Sequence, residues 1–185
     1  MLEEHEREIL LQVAADSIRH GLDTGHALKV NVADYPAALQ QPGASFVTLT
    51  IQHQLRGCIG RLQATRPLVE DVAQNAYSAA FEDSRFSPLS AREFEQLEYH
   101  ISILNPAEAI EFTSEADLLQ QLRPGIDGLI LEEHGRRATF LPSVWESLPQ
   151  AADFLRHLKM KAGLAPDYWS DTLHAQRYTV EEFGH

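Results

Sequence analysis

The single cysteine of the chain lies in a segment whose residue types could do chemistry. The octapeptide HQLRGCIG covers residues 53–60 and places Cys58 between two glycines, two positions after Arg56. If Leu55 to Leu62 forms one unbroken strand, Arg56 and Cys58 point to the same face, about 6.7 Å apart along the chain. A guanidinium beside a thiol favours the thiolate, which is the nucleophilic and ligating form. The spacing therefore predicts a reactive thiolate or an anion-binding surface.

The residues around the cysteine also allow a purely structural role. Gly57 and Gly60 leave the backbone uncovered, so that a ligand or another backbone segment can come close. In the same strand Leu55 and Ile59 are predicted to face a hydrophobic core. A free cysteine is among the most buried residue types and commonly packs as a small hydrophobe. The sequence leaves both roles open for Cys58.

A second segment, EDSRFSP at 82–88, carries two further candidates for binding. Asp83 and Arg85 could form an ion pair that fixes a loop, or Arg85 could bind a carboxylate or phosphate through its planar fork. His53 and His100 are weaker candidates for acid–base chemistry, if the fold brings them near the thiol. The nine histidines are dispersed without a metal-binding pair, and no phosphate-binding glycine loop occurs. We therefore predict no metal site and no cofactor.

Hydrophobic periodicity predicts the elements that must position these residues. A helix near the amino terminus is expected to end at Gly21, and a β-hairpin follows with its turn near Gln52 to Gln54. A second helix begins at Pro67, where proline suits the first helical position. The remaining predictions are a short helix over 35–39, strands over 97–104, 109–112 and 176–183, a hairpin around Gly135, and helices that begin near Ser114 and Pro142 or end at Gly163.

This mixture of helices and neighbouring strands predicts the fold class. Helices and strands follow one another without a regular β–α–β alternation, which favours an α+β fold with largely antiparallel sheets flanked by helices. A chain of 185 residues suits a single domain, 1–185, with at most two lobes.

Charge and cysteine content exclude several classes of partner. The net charge is −12, and the 15 lysines and arginines form no basic run, so we expect no binding to nucleic acid or to anionic membranes. No segment approaches the ~20 apolar residues of a membrane span. A lone thiol and an acidic, patterned amino terminus indicate a cytoplasmic protein without a signal peptide.

Several segments together resemble one known family. Residues 46–90, FVTLTIQHQLRGCIGRLQATRPLVEDVAQNAYSAAFEDSRFSPLS, resemble the signature region of the AMMECR family, in which LRGCIG is a highly specific motif. The segments DGLILEEHGRRATFLPSVWE, FLRHLKMKAGLAPDYW and RYTVEEF also resemble that family, in the same order. The resemblance covers about residues 46–183. The turn sequence QHQ departs from the family, in which a glycine-containing turn is more usual.

The resemblance implies a two-lobed α+β fold with a cleft between the lobes, in which the amino- and carboxy-terminal parts share the larger lobe. Bacterial and archaeal members occur beside a Memo-like protein and a radical S-adenosylmethionine protein, which are therefore possible partners. Vertebrate members are regarded as regulatory factors. No established reaction comes with the resemblance.

Two functions are compatible with these observations. The first is an enzyme, or an accessory subunit, that acts on a small substrate in a cleft lined by LRGCIG. In it Cys58 is nucleophile or proton donor, and Arg56 holds the thiolate or binds an anionic group. The alternative is a non-catalytic regulatory module that binds a protein or a small ligand at the same face.

Overall fold

The computed structural model describes residues 1–185 and divides them into two compact units. The first unit comprises Met1–Leu104 and Glu181–His185, and the second unit comprises Asn105–Val180. A five-stranded sheet belongs to the first unit and a four-stranded sheet to the second. With helices beside antiparallel strands, the predicted α+β class is confirmed.

The α-helices are α1 (Glu4–Thr24), α2 (Ala37–Gln40), α3 (Leu68–Phe81), α4 (Ala91–Phe94), α5 (Glu115–Gln121) and α6 (Ala151–Lys161). Two 3-10 helices cover Val32–Asp34 and Pro142–Glu146. The strands are β1 (Pro42–Ile51), β2 (Gln54–Gly60), β3 (Arg66–Pro67), β4 (Glu98–Leu104), β5 (Glu108–Ala109), β6 (Gly128–Glu133), β7 (Arg136–Phe140), β8 (His174–Tyr178) and β9 (Val180–Gly184). None of the helices is long and apolar enough to cross a bilayer.

The sheet of the first unit has the strand order β2-β1-β4-β9, with the short β3 paired to β1. Helices α1 and α3 pack on one face, because alternate residues of the strands are apolar and point toward them. Val47, Leu49 and Ile101 of the sheet are fully buried in this core. The opposite face of the sheet carries the alternate, more polar set of side chains.

The sheet of the second unit has the order β5-β8-β6-β7. Its core is closed by α6, which contributes Phe154, Leu155 and Leu158, all fully buried. The Trp145 indole stacks on the Phe154 ring with a centroid distance of 3.8 Å and donates its N–H to the carbonyl of Asp127 at 2.7 Å. The second unit therefore has an apolar core of its own.

The first helix is longer than predicted. It passes through Gly21 and ends at Thr24, where Gly25 adopts the left-handed conformation, with φ 76°. Gly21 is instead a contact position, since a Cβ there would lie 2.5 Å from the ring of Phe81 and 2.7 Å from that of Tyr77. The missing side chain lets α1 approach α3. The glycine at this position therefore serves helix packing and does not mark the end of the helix.

Two predicted strands also differ from the structure. The strand expected over 176–183 is two strands, because β8 pairs with β6 and β9 pairs with β4. The break falls at Thr179, whose carbonyl accepts the N–H of Asn105 at 2.9 Å. The strand expected over 109–112 is confined to Glu108–Ala109, and the chain then leads to the N-cap at Ser114, whose hydroxyl accepts the N–H of Asp117 at 3.1 Å.

Candidate functional site

The candidate cysteine lies on a hairpin made by β1 and β2. Gln52 and His53 form its two-residue turn, and both have positive φ, 51° and 64°. The predicted turn near Gln52 to Gln54 is therefore confirmed, without the glycine that such turns favour. Glu98 on β4 supports the turn, since its carboxylate accepts the N–H of His53 at 3.0 Å.

The ladder between β1 and β2 contains one irregularity. Thr50 pairs with Leu55 and Leu49 pairs with Gly57, so that Arg56 has no residue opposite it. One extra residue on one strand is a β-bulge, which bends the strand and changes its twist. The expectation of an unbroken strand over 55–62 is therefore wrong, and the strand itself ends at Gly60.

This bulge decides which face of the sheet carries the thiol. A regular ladder continued from the turn would place Cys58 opposite Val47, a fully buried core residue. In the structure Cys58 lies opposite Thr48 instead. The thiol consequently belongs to the face turned away from α1 and α3, and it is half-buried there.

The two apolar neighbours of the cysteine differ from each other. Ile59 pairs with Val47 and packs against the core, as predicted. Leu55 was expected in the core, but it is 43% exposed. The bulge explains the difference, because it leaves Leu55 opposite Thr50 on the other face of the sheet.

Cys58 has one contact through its side chain and one through its backbone. Its sulfur lies 3.2 Å from the hydroxyl oxygen of Thr48, a hydrogen bond in which either atom can donate. Its backbone N–H donates to Oδ2 of Asp83 at 3.0 Å. Through this contact the loop after α3 covers the outer edge of β2, which would otherwise expose unpaired backbone groups.

Asp83 and Arg85 form the ion pair that the sequence suggested. The guanidinium donates from Nε at 3.0 Å and from Nη2 at 2.7 Å, and the Arg85 backbone N–H donates at 3.1 Å. The hydrogen bonds from Arg85, followed by the one from the Cys58 backbone, hold the pKa of Asp83 well below its usual range despite burial. Asp83, and to a lesser degree Cys58, raises the pKa of Arg85, whose side chain remains 55% exposed. The structure thus brings Cys58, Asp83 and Arg85 together.

Arg56 is engaged elsewhere. Its Nε donates to Oε2 of Glu93 at 2.6 Å, and its Nη2 donates to the carbonyl of Ser87 at 2.6 Å. The hydrogen bonds from the Arg56 guanidinium are the main reason why the pKa of Glu93 is lowered, to about 2. The arginine expected to serve the thiol is therefore paired with a carboxylate on α4, and Arg85 is the arginine whose charge interacts with Cys58.

Neither candidate histidine contacts the thiol. His100 lies opposite Thr48 on β4, in the same row as Cys58, but two strand spacings separate the two residues, roughly 10 Å. His53 lies at the exposed tip of the hairpin, with its imidazole 3.5 Å from the Glu98 carboxylate. No cluster of three histidine, cysteine, aspartate or glutamate side chains is arranged to hold a metal ion.

The two glycines beside the cysteine have structural neighbours. A Cβ on Gly57 would lie 2.0 Å from the carbonyl oxygen of Ala79 in α3. A Cβ on Gly60 would lie 2.2 Å from the ring of Phe46, its partner on β1. Gly57 therefore permits close approach of another backbone, one of the two alternatives the sequence left open.

Sequence reasoning missed two residues of this site. Thr48 could be assigned to Cys58 only with knowledge of the bulge, which shifts the register by one residue. Glu93 carries a signal that was readable, because Ser90 and Glu93 form a capping box in which each side chain accepts the other's backbone N–H, at 3.2 and 3.1 Å. That box fixes Glu93 at the start of α4, within reach of Arg56.

Comparisons with known proteins agree with this fold. A protein of Methanothermobacter thermautotrophicus is 35% identical over 175 residues, which cover 92% of this chain and 88% of the relative. Protein MJ0810 of Methanocaldococcus jannaschii is 35% identical over 148 residues, 76% of this chain and 72% of the relative. The crystal structure of uncharacterized protein PH0010 from Pyrococcus horikoshii superposes with a TM-score of 0.91 at 31% identity, covering 100% of this chain and 93% of that one. The AMMECR1 family model matches residues 11–183, and the chain therefore belongs to the AMMECR1 family.

Proposed function

We propose that the protein is an enzyme, or the accessory subunit of one, that uses the Cys58 thiol on a small substrate. One observation carries the proposal: the bulge at Arg56 places the thiol on the face of the sheet opposite to α1 and α3, where the half-exposed guanidinium of Arg85 is held beside it through Asp83. A cysteine that only filled space would need neither the bulge nor the fixed cation.

The chemistry follows from these neighbours. A guanidinium favours the thiolate over the thiol. The thiolate supplies an electron pair to an electrophilic carbon of the substrate, an S–C bond forms, and the leaving group departs with the pair of the broken bond. The thiol proton passes to solvent, and His100, in the same row of the sheet, is the candidate that protonates the leaving group across the bound substrate.

Arg85 also restricts the class of substrate. Asp83 accepts from its Nε and Nη2, whereas its Nη1 makes no hydrogen bond. A carboxylate or phosphate of the substrate could accept from this Nη1, since a guanidinium donates to the oxygens of both anions. We therefore propose an anionic small molecule as substrate.

A non-catalytic module is the second candidate. No imidazole or carboxylate lies within hydrogen-bonding distance of the Cys58 sulfur, and its side-chain partner is the Thr48 hydroxyl. The carboxylates of Asp83 and Glu93 are both paired with arginines. The same face would then bind a regulatory ligand or a protein, for which the Memo-like and radical S-adenosylmethionine proteins stay proposals. A cytoplasmic location, where a lone thiol stays reduced, belongs to both candidates.

Thiol reactivity tests the proposal. Intact mass after reaction with iodoacetamide over a range of pH gives the rate at Cys58 for the wild type, Arg85→Met and Arg56→Met. We expect Arg85→Met to react more slowly than the wild type near neutral pH, because it lacks the cation that favours the thiolate. Arg92→Met on exposed α4 is the matched control and should behave as the wild type.

Three results would contradict the proposal. A native thiol that reacts only after unfolding would show that Cys58 is a packing residue. Equal reaction rates for the wild type and Arg85→Met would remove Arg85 as the group that favours the thiolate. A slower rate in Arg56→Met alone, with the fold retained by circular dichroism, would restore the role first expected for Arg56.

A further inference from the structure

A second concave site lies wholly within the second unit. It is a pocket of about 350 Å³ at the end of the β6–β7 hairpin, beside the carboxy-terminal end of α6. This volume falls in the range of small-molecule sites. Its lining combines a carboxylate, an arginine, an imidazole, a phenol and two apolar side chains: Glu133, Arg136, His134, Tyr168, Leu164 and Ala165.

The carboxylate in this pocket is almost completely buried. The Glu133 side chain is 1% exposed and accepts hydrogen bonds from Thr172 Oγ1 at 2.8 Å and Tyr168 Oη at 3.2 Å. Burial raises the pKa of Glu133, but the hydroxyl groups and the His134 charge outweigh it and lower that pKa below its usual value. Glu133 is thus held as a carboxylate by neutral hydroxyl groups and by an exposed imidazole 3.4 Å away.

The other buried carboxylates of the chain are each paired with an arginine. Each of them receives an arginine guanidinium at 2.7 Å, in the pairs Asp71–Arg66, Asp83–Arg85 and Asp127–Arg123. A buried charge without an opposite charge is strongly destabilising. Glu133 is the exception, since no lysine or arginine lies within 4.0 Å of its carboxylate.

A suitable cation is present but does not reach it. Arg136 lies directly opposite Glu133 in the β6–β7 ladder, so both side chains belong to the same face. Opposite charges at such a position usually pair. Arg136 donates instead to the carbonyl of Gly163, which ends α6 with φ 81°, and no carboxylate lies within ion-pair distance of its guanidinium. The pocket therefore holds a negative and a positive group that are kept apart.

From this separation we infer that the pocket binds a small zwitterion of the α-amino acid class. The ammonium of the ligand supplies the permanent counter-charge that Glu133 lacks, since its one basic neighbour is the His134 imidazole, and the ligand's carboxylate accepts from Arg136. Leu164 and Ala165 contact the ligand's side chain. This site is independent of Cys58 and of the function proposed for it.

Amide chemical shifts of the labelled full chain test the inference. The probes are glycine, L-leucine, L-glutamate and L-lysine, titrated at about pH 8, where an ordinary imidazole is mostly neutral. We expect saturable shifts confined to 133–136 and 163–168. Isoamylamine is leucine without its carboxylate, and 4-methylpentanoate is leucine without its ammonium. Each should bind at least about tenfold more weakly than leucine, because each loses one charge-assisted contact.

Matched variants assign the two charges. Glu133→Gln and Arg136→Met should each weaken binding at least about tenfold. Glu132→Gln and Arg137→Met remove the same charges from exposed neighbours on the opposite face and should leave it unchanged. If Glu133→Gln does not fold, the exposed Arg136 still decides the question. Absence of saturable shifts with all four amino acids, or unchanged binding in Arg136→Met, would overturn the inference.

Discussion

Gly57→Ala gives the sharpest test of how the hairpin that carries Cys58 is held. The added Cβ would lie 2.0 Å from the carbonyl oxygen of Ala79 and 2.9 Å from its carbon. Carbon and oxygen atoms rarely approach closer than about 3.3 Å, so β2 and α3 must separate by about 1 Å. The obstacle is helix backbone, which cannot rotate away as a flexible side chain can.

We expect this substitution to lower the free energy of unfolding by about 3 kcal/mol, the upper part of the range for overpacked cores. For a chain of this size the melting temperature should fall by roughly 6–12 °C. Urea unfolding followed by circular dichroism measures the change. Gly125→Ala is the control, because Gly125 has φ 82° with no atom within 4 Å of its Cβ position. It should lose only the backbone cost of about 1–2 kcal/mol.

The comparison can refute the reasoning. If Gly57→Ala unfolds at the wild-type urea concentration, the contact with Ala79 is no constraint on this strand. The glycine would then have to be explained by a ligand that approaches it. A loss no larger than that of Gly125→Ala would mean that β2 and α3 separate at little cost, so that the close approach to Ala79 does not require the glycine.

Two further predictions concern buried and ionised groups. Asp71 is fully buried, where its carboxylate accepts from the Ser45 N–H at 2.9 Å and from Arg66 at 2.7 Å. Asp71→Ala should lower the free energy of unfolding in urea by about 3–5 kcal/mol, whereas Glu70→Gln on the exposed surface of α3 should change it almost not at all. Equal losses for the two variants would contradict a structural role for this network. The pKa of Glu93 falls to about 2 in the folded chain, so the stability that Glu93 contributes is present above its ordinary pKa of 4.5 and is lost as the pH drops from there toward 2. Between these pH values, the free energy of unfolding should therefore depend less steeply on pH in Glu93→Gln than in the wild type. An unchanged pH profile would contradict the Arg56–Glu93 pair as the source of this acid sensitivity.

The fold was largely predictable because its signals are local. Alternating residues predicted β4, the Ser114 cap predicted the start of α5, and a short polar segment predicted the turn at Gln52 and His53. Gly21 shows the limit of such signals, since a glycine that ends a helix and one that admits a neighbouring helix look alike in sequence. Only the packing of Phe81 against it distinguishes the two.

The candidate site was predictable in its residue types but not in its pairing. The sequence correctly grouped Asp83 with Arg85, which are two positions apart. It could not assign Arg56 to Glu93, because that contact depends on a bulge and on a helix 37 positions further along the chain. A bulge shifts every following side chain to the other face of the sheet, and the residue types in this segment do not predict where a bulge occurs.

The break at Thr179 has a consequence for how the chain can be built and altered. The second unit leaves the first after Leu104 and returns at Glu181, so it is an insertion within one continuous sheet. Its two ends are joined by the N–H of Asn105 on the carbonyl of Thr179, at 2.9 Å, and by the Asn105 amide on the Thr179 hydroxyl, at 2.8 Å. Once these two hydrogen bonds form, only a short effective loop separates β4 from β9. The entropy cost of closing the long loop, which is the whole second unit, has then already been met. Evolution could therefore exchange or enlarge the inserted unit while the sheet that carries Cys58 kept its register.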